Sequence, residues 1–233
     1  MFEAEANGLK LINVTGAIAV PDVILEGTAG EHSFLVLEWI DARRPTAKAS
    51  EALGRSLAQM HKNTAGHFGL DHDNYMGSLR QSNKRHARSS DFFIEERLQP
   101  MVQMAADKKR LTSDDVTSFE QLYKNLPGLF TGEAPSLIHG DFWGGNYLVV
   151  QSEKPYLIDP AVSCGHREFD IAMATLFGGF SNEFYDAYNE AFPLAKGWER
   201  RLDLWNLYPL LVHLNLFGTG YVGQVRDCLK QYL

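Results

Sequence analysis

Residues 136 to 159, SLIHGDFWGGNYLVVQSEKPYLID, constrain the chain more than any other stretch. A short apolar strand, SLIH, runs into a loop that carries Asp141, Trp143 and Asn146. Two further short strands follow, YLVV and PYLID, split by the polar turn QSEK. A strand that ends in a polar loop and returns through a hairpin closing on Asp159 gathers three oxygen-bearing side chains at one mouth.

Around that unit the periodicity changes along the chain. Phe2, Ala6, Leu9 and Ile12 recur at helical spacing, and Thr15, Gly16 and Pro21 stop the helix. Two extended stretches, 22 to 27 and 33 to 40, joined by the turn TAGEH, read as a hairpin packed against it. Leu53, Leu57 and Met60 make residues 50 to 60 an amphipathic helix. Helical patterns cover roughly 91 to 106 and 113 to 126, and from Glu168 onward the chain reads as nearly all helix. The order is that of an α+β fold: a helix and an antiparallel hairpin first, then a larger helical part around the loop-bearing strands.

Composition narrows the function classes. With 233 residues, 45% of them apolar, the chain is long enough to bury a substantial core. A net charge of −7 argues against nucleic acid as a partner, because phosphate backbones reward clustered Lys and Arg. The one basic stretch, NKRHARSS at 83 to 90, reads as a solvated loop. Cys164 and Cys228 lie far apart without CxxC spacing, as expected of reduced thiols in a cytoplasmic protein. Glu3 and Glu5 do not suit a signal peptide. The most apolar late stretch, 204 to 223, is interrupted by Asn206, Pro209, His213 and Asn215, so no membrane partner is expected either.

The chemistry lies in Asp141, Asn146 and Asp159. Mg²⁺ takes hard oxygen ligands and reaches substrate phosphates through one or two carboxylates plus waters, which suits Asn146 and Asp159. Asp141 then accepts the proton of an attacking hydroxyl, and phosphoryl transfer consists largely of such positioning and charge neutralisation. An Asp and an Asn five positions apart, followed by a metal-binding Asp, is the order in kinase catalytic loops. A lone pair at that spacing often caps a turn, but the flanking LIHG and IDP make chance a poor account. His139 is expected to hold backbone rather than metal. GTGYVG at 218 to 223 fits a glycine-rich nucleotide loop in letters only; it follows a helical pattern and reads as a break between helices.

HGD in place of HRD, and IDP in place of DFG, resemble the small-molecule kinases of the protein-kinase-like fold, such as aminoglycoside phosphotransferases and choline kinases. Three stretches narrow this further: HGDFWGGNYLV, YLIDPAVSCGHREFDIAMATLFGGF and HFGLDHDNYMGSLRQSN together resemble the fructosamine 3-kinase (ketosamine 3-kinase) family, over residues 2 to 223. The resemblance implies a partial N-lobe, a helix with a partial antiparallel sheet, over residues 1–40 and ending in the hinge, then a mostly helical C-lobe over 41–233. It implies ATP and Mg²⁺, with transfer to the 3-hydroxyl of a ketoamine of fructosamine or ribulosamine type, on a small molecule or a glycated lysine, as deglycation repair.

By the same resemblance Asp141 is the proton acceptor and Asn146 and Asp159 hold Mg²⁺. Backbone groups of Glu38, Trp39 and Ile40 meet adenine at the hinge, and Trp143, beside the base, either stacks on the sugar or has a packing role. Asp170 braces the catalytic loop, where its alternative is a helix cap. Gln81 and Asn83 fall in a stretch like the family's substrate-side insert, or form a polar loop. Glu5 matches the acid that pairs with a strand lysine, and that lysine and its glycine-rich hairpin do not precede it here. Weak or no turnover by the 233-residue chain is therefore expected. Two alternatives stand beside the ketoamine reading: a kinase of another small hydroxylated amine, aminoglycoside or choline in type, and a non-catalytic protein that binds a metabolite or partner.

Overall fold

The computed structural model describes residues 1–233. Helix α1, Phe2–Val14, buries Ala6, Leu9 and Ile12 along one stripe and carries Glu3 and Glu5 in its first turn, where acids favour the helix dipole. Strands β1, Val23–Ala29, and β2, His32–Leu37, form the expected antiparallel hairpin, with Ala29 opposite His32. The strands reach two residues further into TAGEH than the sequence suggests, while β2 stops at Leu37. The ladder ends at the next pair: the Glu38 N–H still donates to the Asp22 carbonyl at 2.9 Å, but the Asp22 N–H donates to the Glu38 carboxylate at 3.2 Å instead of to its carbonyl.

Helix α2, Ala47–His61, begins at Thr46, whose hydroxyl accepts from the Ala49 N–H. It runs against α7, Asn182–Ala191, so closely that a Cβ at Gly54 would lie 2.3 Å from the Phe184 carbonyl oxygen. Leu9, Ile12 and Val20 share one hydrophobic cluster with Leu53, Leu57, Val149 and Leu157, so residues 1–40 have no core of their own and rest on the larger part.

The single helix expected over 91 to 106 is three segments: α3, Ser89–Phe93, a π-helical turn, Ile94–Leu98, and α4, Gln99–Asp107. Pro100 supplies the reason. It has no N–H for the Glu96 carbonyl four residues back, so the ladder rewinds, and that carbonyl accepts from Arg97 Nη1 at 3.1 Å instead. Helix α5, Ser113–Leu129, opens with a reciprocal capping box between Thr112 and Asp115.

Strands β3, Asn74–Met76, and β4, Leu79–Gln81, form a small hairpin. Strand β5, Ser136–Ile138, pairs with β8, Ser163–Gly165, and β6, Tyr147–Val149, pairs with β7, Pro155–Leu157. After them come α6, Glu168–Leu176, then α7, α8, Leu202–Phe217, and α9, Val222–Lys230. A 3₁₀ turn at Thr219–Tyr221 separates the last two, where GTGYVG was expected to break the chain. No helix is long and apolar enough to cross a membrane.

One surface pair gives a pH-dependent contribution. Arg226 holds Asp115 in a fork at 2.7 and 2.8 Å, and this, with the Thr112 hydrogen bonds, keeps the Asp115 carboxyl down at about 2. A folded value below the ordinary one contributes stability above about pH 4 that is lost as pH falls toward 2. Arg226→Met is expected to lower stability by about 1 kcal/mol at neutral pH. Urea titrations should show that difference vanish by about pH 2; a constant gap across pH would mean that packing, not the ion pair, is lost.

Candidate active site

The loop after β5 is held from below by one carboxylate. Asp170, in the first turn of α6, accepts the His139 N–H at 2.7 Å and the Gly140 N–H at 2.9 Å. It also faces His61 Nε2 at 3.0 Å, and His61 Nδ1 lies 2.8 Å from the Tyr188 hydroxyl. All four side chains are buried, so each bond is made without competition from water. Gly140 takes φ +80°, and a Cβ there would lie 2.1 Å from the Ala161 carbonyl oxygen. His139 donates from Nε2 to the Ile158 carbonyl at 3.0 Å and accepts the Asp141 N–H on Nδ1 at 3.2 Å. Burial lowers its pKa and keeps the ring neutral, as one donor and one lone pair require. It bridges backbone.

Three of the side chains named from the sequence converge above this brace. Asn146 Nδ2 donates to Asp141 Oδ2 and to the Asp141 carbonyl, both at 2.9 Å, which leaves its amide oxygen without a protein donor. The Asn146 carbonyl accepts from the Ile158 N–H, so the return hairpin places Asp159 beside the loop, with a left-handed φ of +50°. Burial pushes the Asp141 carboxyl up to about 7, against the Asn146 hydrogen bond, and Asp159 and Asp170 add to the rise.

Glu5 comes to the same mouth from α1. Burial, and then the adjacent Asp159 carboxylate, pushes it up to about 7. The charges acting on Asp141 include no Lys or Arg, and the donors at the mouth are carboxylate and amide oxygens. This donor set, carboxylate and amide oxygens, is one that fits a hard divalent cation.

Glu5, Asp141, Trp143, Asn146 and Asp159 line one pocket of about 420 Å³. Trp143 is 39% exposed, its ring lies over Gly145, and its edge meets Phe177 at 6.3 Å. Glu38, Trp39 and Ile40 do not line that pocket. The Glu38 N–H is spent on Asp22, its side chain faces a separate polar pocket with Asp22 and Lys154, and the Trp39 ring is 89% exposed. The N–H groups of Trp39 and Ile40 make no backbone hydrogen bond.

Sequence reasoning missed a buried polar network under the loop. Gln81 and Asn83 form neither a polar loop nor a solvent-facing surface: both amides donate to Asn74 Oδ1, at 2.7 and 3.0 Å, and all three residues are buried. Asn74 donates to the Val162 carbonyl, Tyr208 donates to Gln81, and Arg97 donates to Asn83. The available signal was two extended triplets flanking Gly77-Ser78, a hairpin pattern. His61 also went unnoticed, although it continues the buried Leu53, Leu57 face of α2 by one turn.

The sequence model of the family described as fructosamine kinase matches residues 1–233. An Enterococcus faecium protein provisionally named a ketoamine kinase is 40% identical over 236 residues, 99% of this chain and 82% of that one. A Thermobifida fusca structure, provisionally a fructosamine-3-kinase, superposes with TM-score 0.92 at 40% identity, over 100% of this chain and 80% of that one. The gentamicin complex of APH(2")-IIa, at 17% identity and TM-score 0.60 over 98% of this chain and 80% of its own, shares the protein-kinase-like fold.

Proposed function

The chain belongs to the fructosamine kinase family, a family of phosphotransferases that use ATP and an alcohol acceptor, and from that membership we propose which residues carry the reaction and on what substrate. The acceptor is the 3-hydroxyl of a ketoamine, on a small amine or on the glycated lysine of a protein. The observation that carries this reading is the mouth formed by Asp141, Asn146 and Asp159, acid-rich and joined by the Asn146–Asp141 hydrogen bond at 2.9 Å.

Asp141 takes the proton as the acceptor oxygen bonds to the γ-phosphorus of ATP and the bond to ADP breaks. Its raised pKa suits a base working near neutrality. Asn146, through the amide oxygen that no protein donor uses, and Asp159 would hold Mg²⁺, which would neutralise phosphate charge there. Asn146 also turns the Asp141 carboxylate toward the acceptor. Trp143, exposed beside Asp141, stacks on the sugar ring. The unbonded N–H groups at Trp39 and Ile40, with the Glu38 carbonyl, meet adenine. The reaction belongs in the cytoplasm, where Cys164 and Cys228 remain unpaired thiols.

The test is ATP consumption with a small ketoamine, an aminoglycoside and choline in parallel. Turnover with the ketoamine alone is expected, and turnover with either of the others but not the ketoamine would move the protein to another acceptor class. Asp159→Asn is expected to raise the Mg²⁺ concentration needed for half-maximal rate by about tenfold or more, the effect of one lost charged ligand. An unchanged Mg²⁺ requirement would remove Asp159 from the metal site.

A further inference from the structure

A second pocket, of about 330 Å³, opens on the other side of Asp141 and has a different chemistry. It shares Asp141, Trp143 and Gly77 with the acid-lined pocket, so the two spaces meet at the reacting carboxylate. Its remaining walls are Phe177, Phe217, Leu216, Met76, Val212 and His213. Phe177 stacks toward His213 at 4.8 Å, His213 toward Phe217 at 5.4 Å, and Trp143 meets Phe177 edge-on, which makes one aromatic wall leading out from Asp141. Phe177 and Phe217 are 44% and 68% exposed, an arrangement of large apolar rings that needs a ligand to be favourable. His213 is fixed by its Nδ1–H donating to the Pro209 carbonyl at 2.8 Å.

We propose that this pocket is the subsite for the substituent on the ketoamine nitrogen, and that it selects uncharged hydrocarbon, an alkyl or aryl amine or the methylene stem of a lysine, over a carboxylate-bearing amine. The inference rests on the ketoamine kinase reading above. A sugar polyol needs several hydrogen-bonding partners, and this wall offers almost none, whereas the acid-lined pocket does. With the acceptor hydroxyl at Asp141 and the phosphates in the polar pocket, the amine end of the substrate leaves along the aromatic wall. No Lys or Arg lines it to balance a carboxylate, and Asp141 at its inner end repels one. A ketoamine of an α-amino acid therefore brings into the pocket a carboxylate that no side chain there can pair, with only its own ammonium beside it, while a lysine linked through its ε-amine keeps its carboxylate beyond the rim.

The experiment compares kcat/KM for two fructose-derived ketoamines, one of hexylamine and one of glycine. The hexyl compound is expected to be preferred at least tenfold, about what burial of two methylenes supplies. Phe217→Ala should move that ratio toward one through a higher KM for the hexyl compound, since the contact is equal in ground and transition states. Phe217→Arg should favour the glycine compound by supplying the missing cation. Equal kcat/KM in the parent protein, or a Phe217→Ala effect carried by kcat on both compounds, would overturn the subsite. If neither compound is phosphorylated, the turnover arm bears on the kinase reading and not on the subsite, and calorimetry decides the subsite separately. Tighter hexyl ketoamine binding by the parent than by Phe217→Ala supports it, and equal binding overturns it.

Discussion

Asp141→Asn is expected to lower kcat about 1,000-fold, the middle of the range for loss of a positioned general base, with KM values changed little. The substitution keeps the side-chain volume and an oxygen that can still accept from Asn146 Nδ2, so the loop geometry survives. It also removes an ionisable group whose carboxyl is held up at about 7 by burial and by Asp159 and Asp170. An acid with a raised folded pKa destabilises the fold once pH exceeds its ordinary value, because ionisation then costs more folded than unfolded. The variant should accordingly melt at the same temperature as the parent or higher when assayed at about pH 8. Loss of activity together with a Tm lowered by several degrees would assign Asp141 a structural role, and retention of more than a tenth of kcat would remove it as the base.

Asp170→Ala is expected to have the largest effect on stability. The carboxylate accepts two backbone N–H groups and faces His61, all fully buried, and nothing else nearby accepts from them. Orphaning buried donors costs about 1–3 kcal/mol each, so the loss of this acceptor costs several kcal/mol in total. For a chain of this size, about 4 kcal/mol lowers Tm by roughly 8–16 °C. Activity should fall with it, since His139 and Gly140 anchor the turn that aims Asp141. Differential scanning calorimetry separates the two roles of this residue. A His61→Phe variant removes only the side-chain partner and should destabilise while retaining turnover; a collapse of kcat in His61→Phe with unchanged Tm would contradict the anchoring account.

Elements with a clear hydrophobic period were legible before any coordinates. Helix α1 and the buried face of α2 follow from stripes such as Ala6, Leu9 and Ile12, because burying one face of an amphipathic segment dominates its local energetics, whereas the mostly exposed β1–β2 hairpin follows from its extended stretches and turn residues. The β3–β4 hairpin has three-residue strands, too short for an alternating pattern, and its Asn74, Gln81 and Asn83 read as solvent-facing by type. Burial made them a network, which no local rule anticipates. The rewinding at Pro100 was similarly hidden, since Phe92, Phe93 and Leu98 preserve a helical pattern through the π turn.

The site divides along the same line. Asp141 and Asn146 share a mouth because they sit five residues apart in one turn, and Asp159 joins them through a short hairpin; chain connectivity alone brings these three together. Glu5 against Asp159 and His61 against Asp170 depend on contacts between residues 154 and 109 positions apart, and the aromatic wall depends on Trp143 meeting Phe177 and Phe177 meeting His213, 34 and 36 positions apart. Such pairs are selected by how helices pack around two cores, through burial and excluded volume summed over the whole molecule. The sequence by itself therefore determined which three oxygen-bearing side chains share one mouth. Only the tertiary structure decided what braces them, how far burial shifts their protons, and that a second, apolar space opens beside the reacting acid.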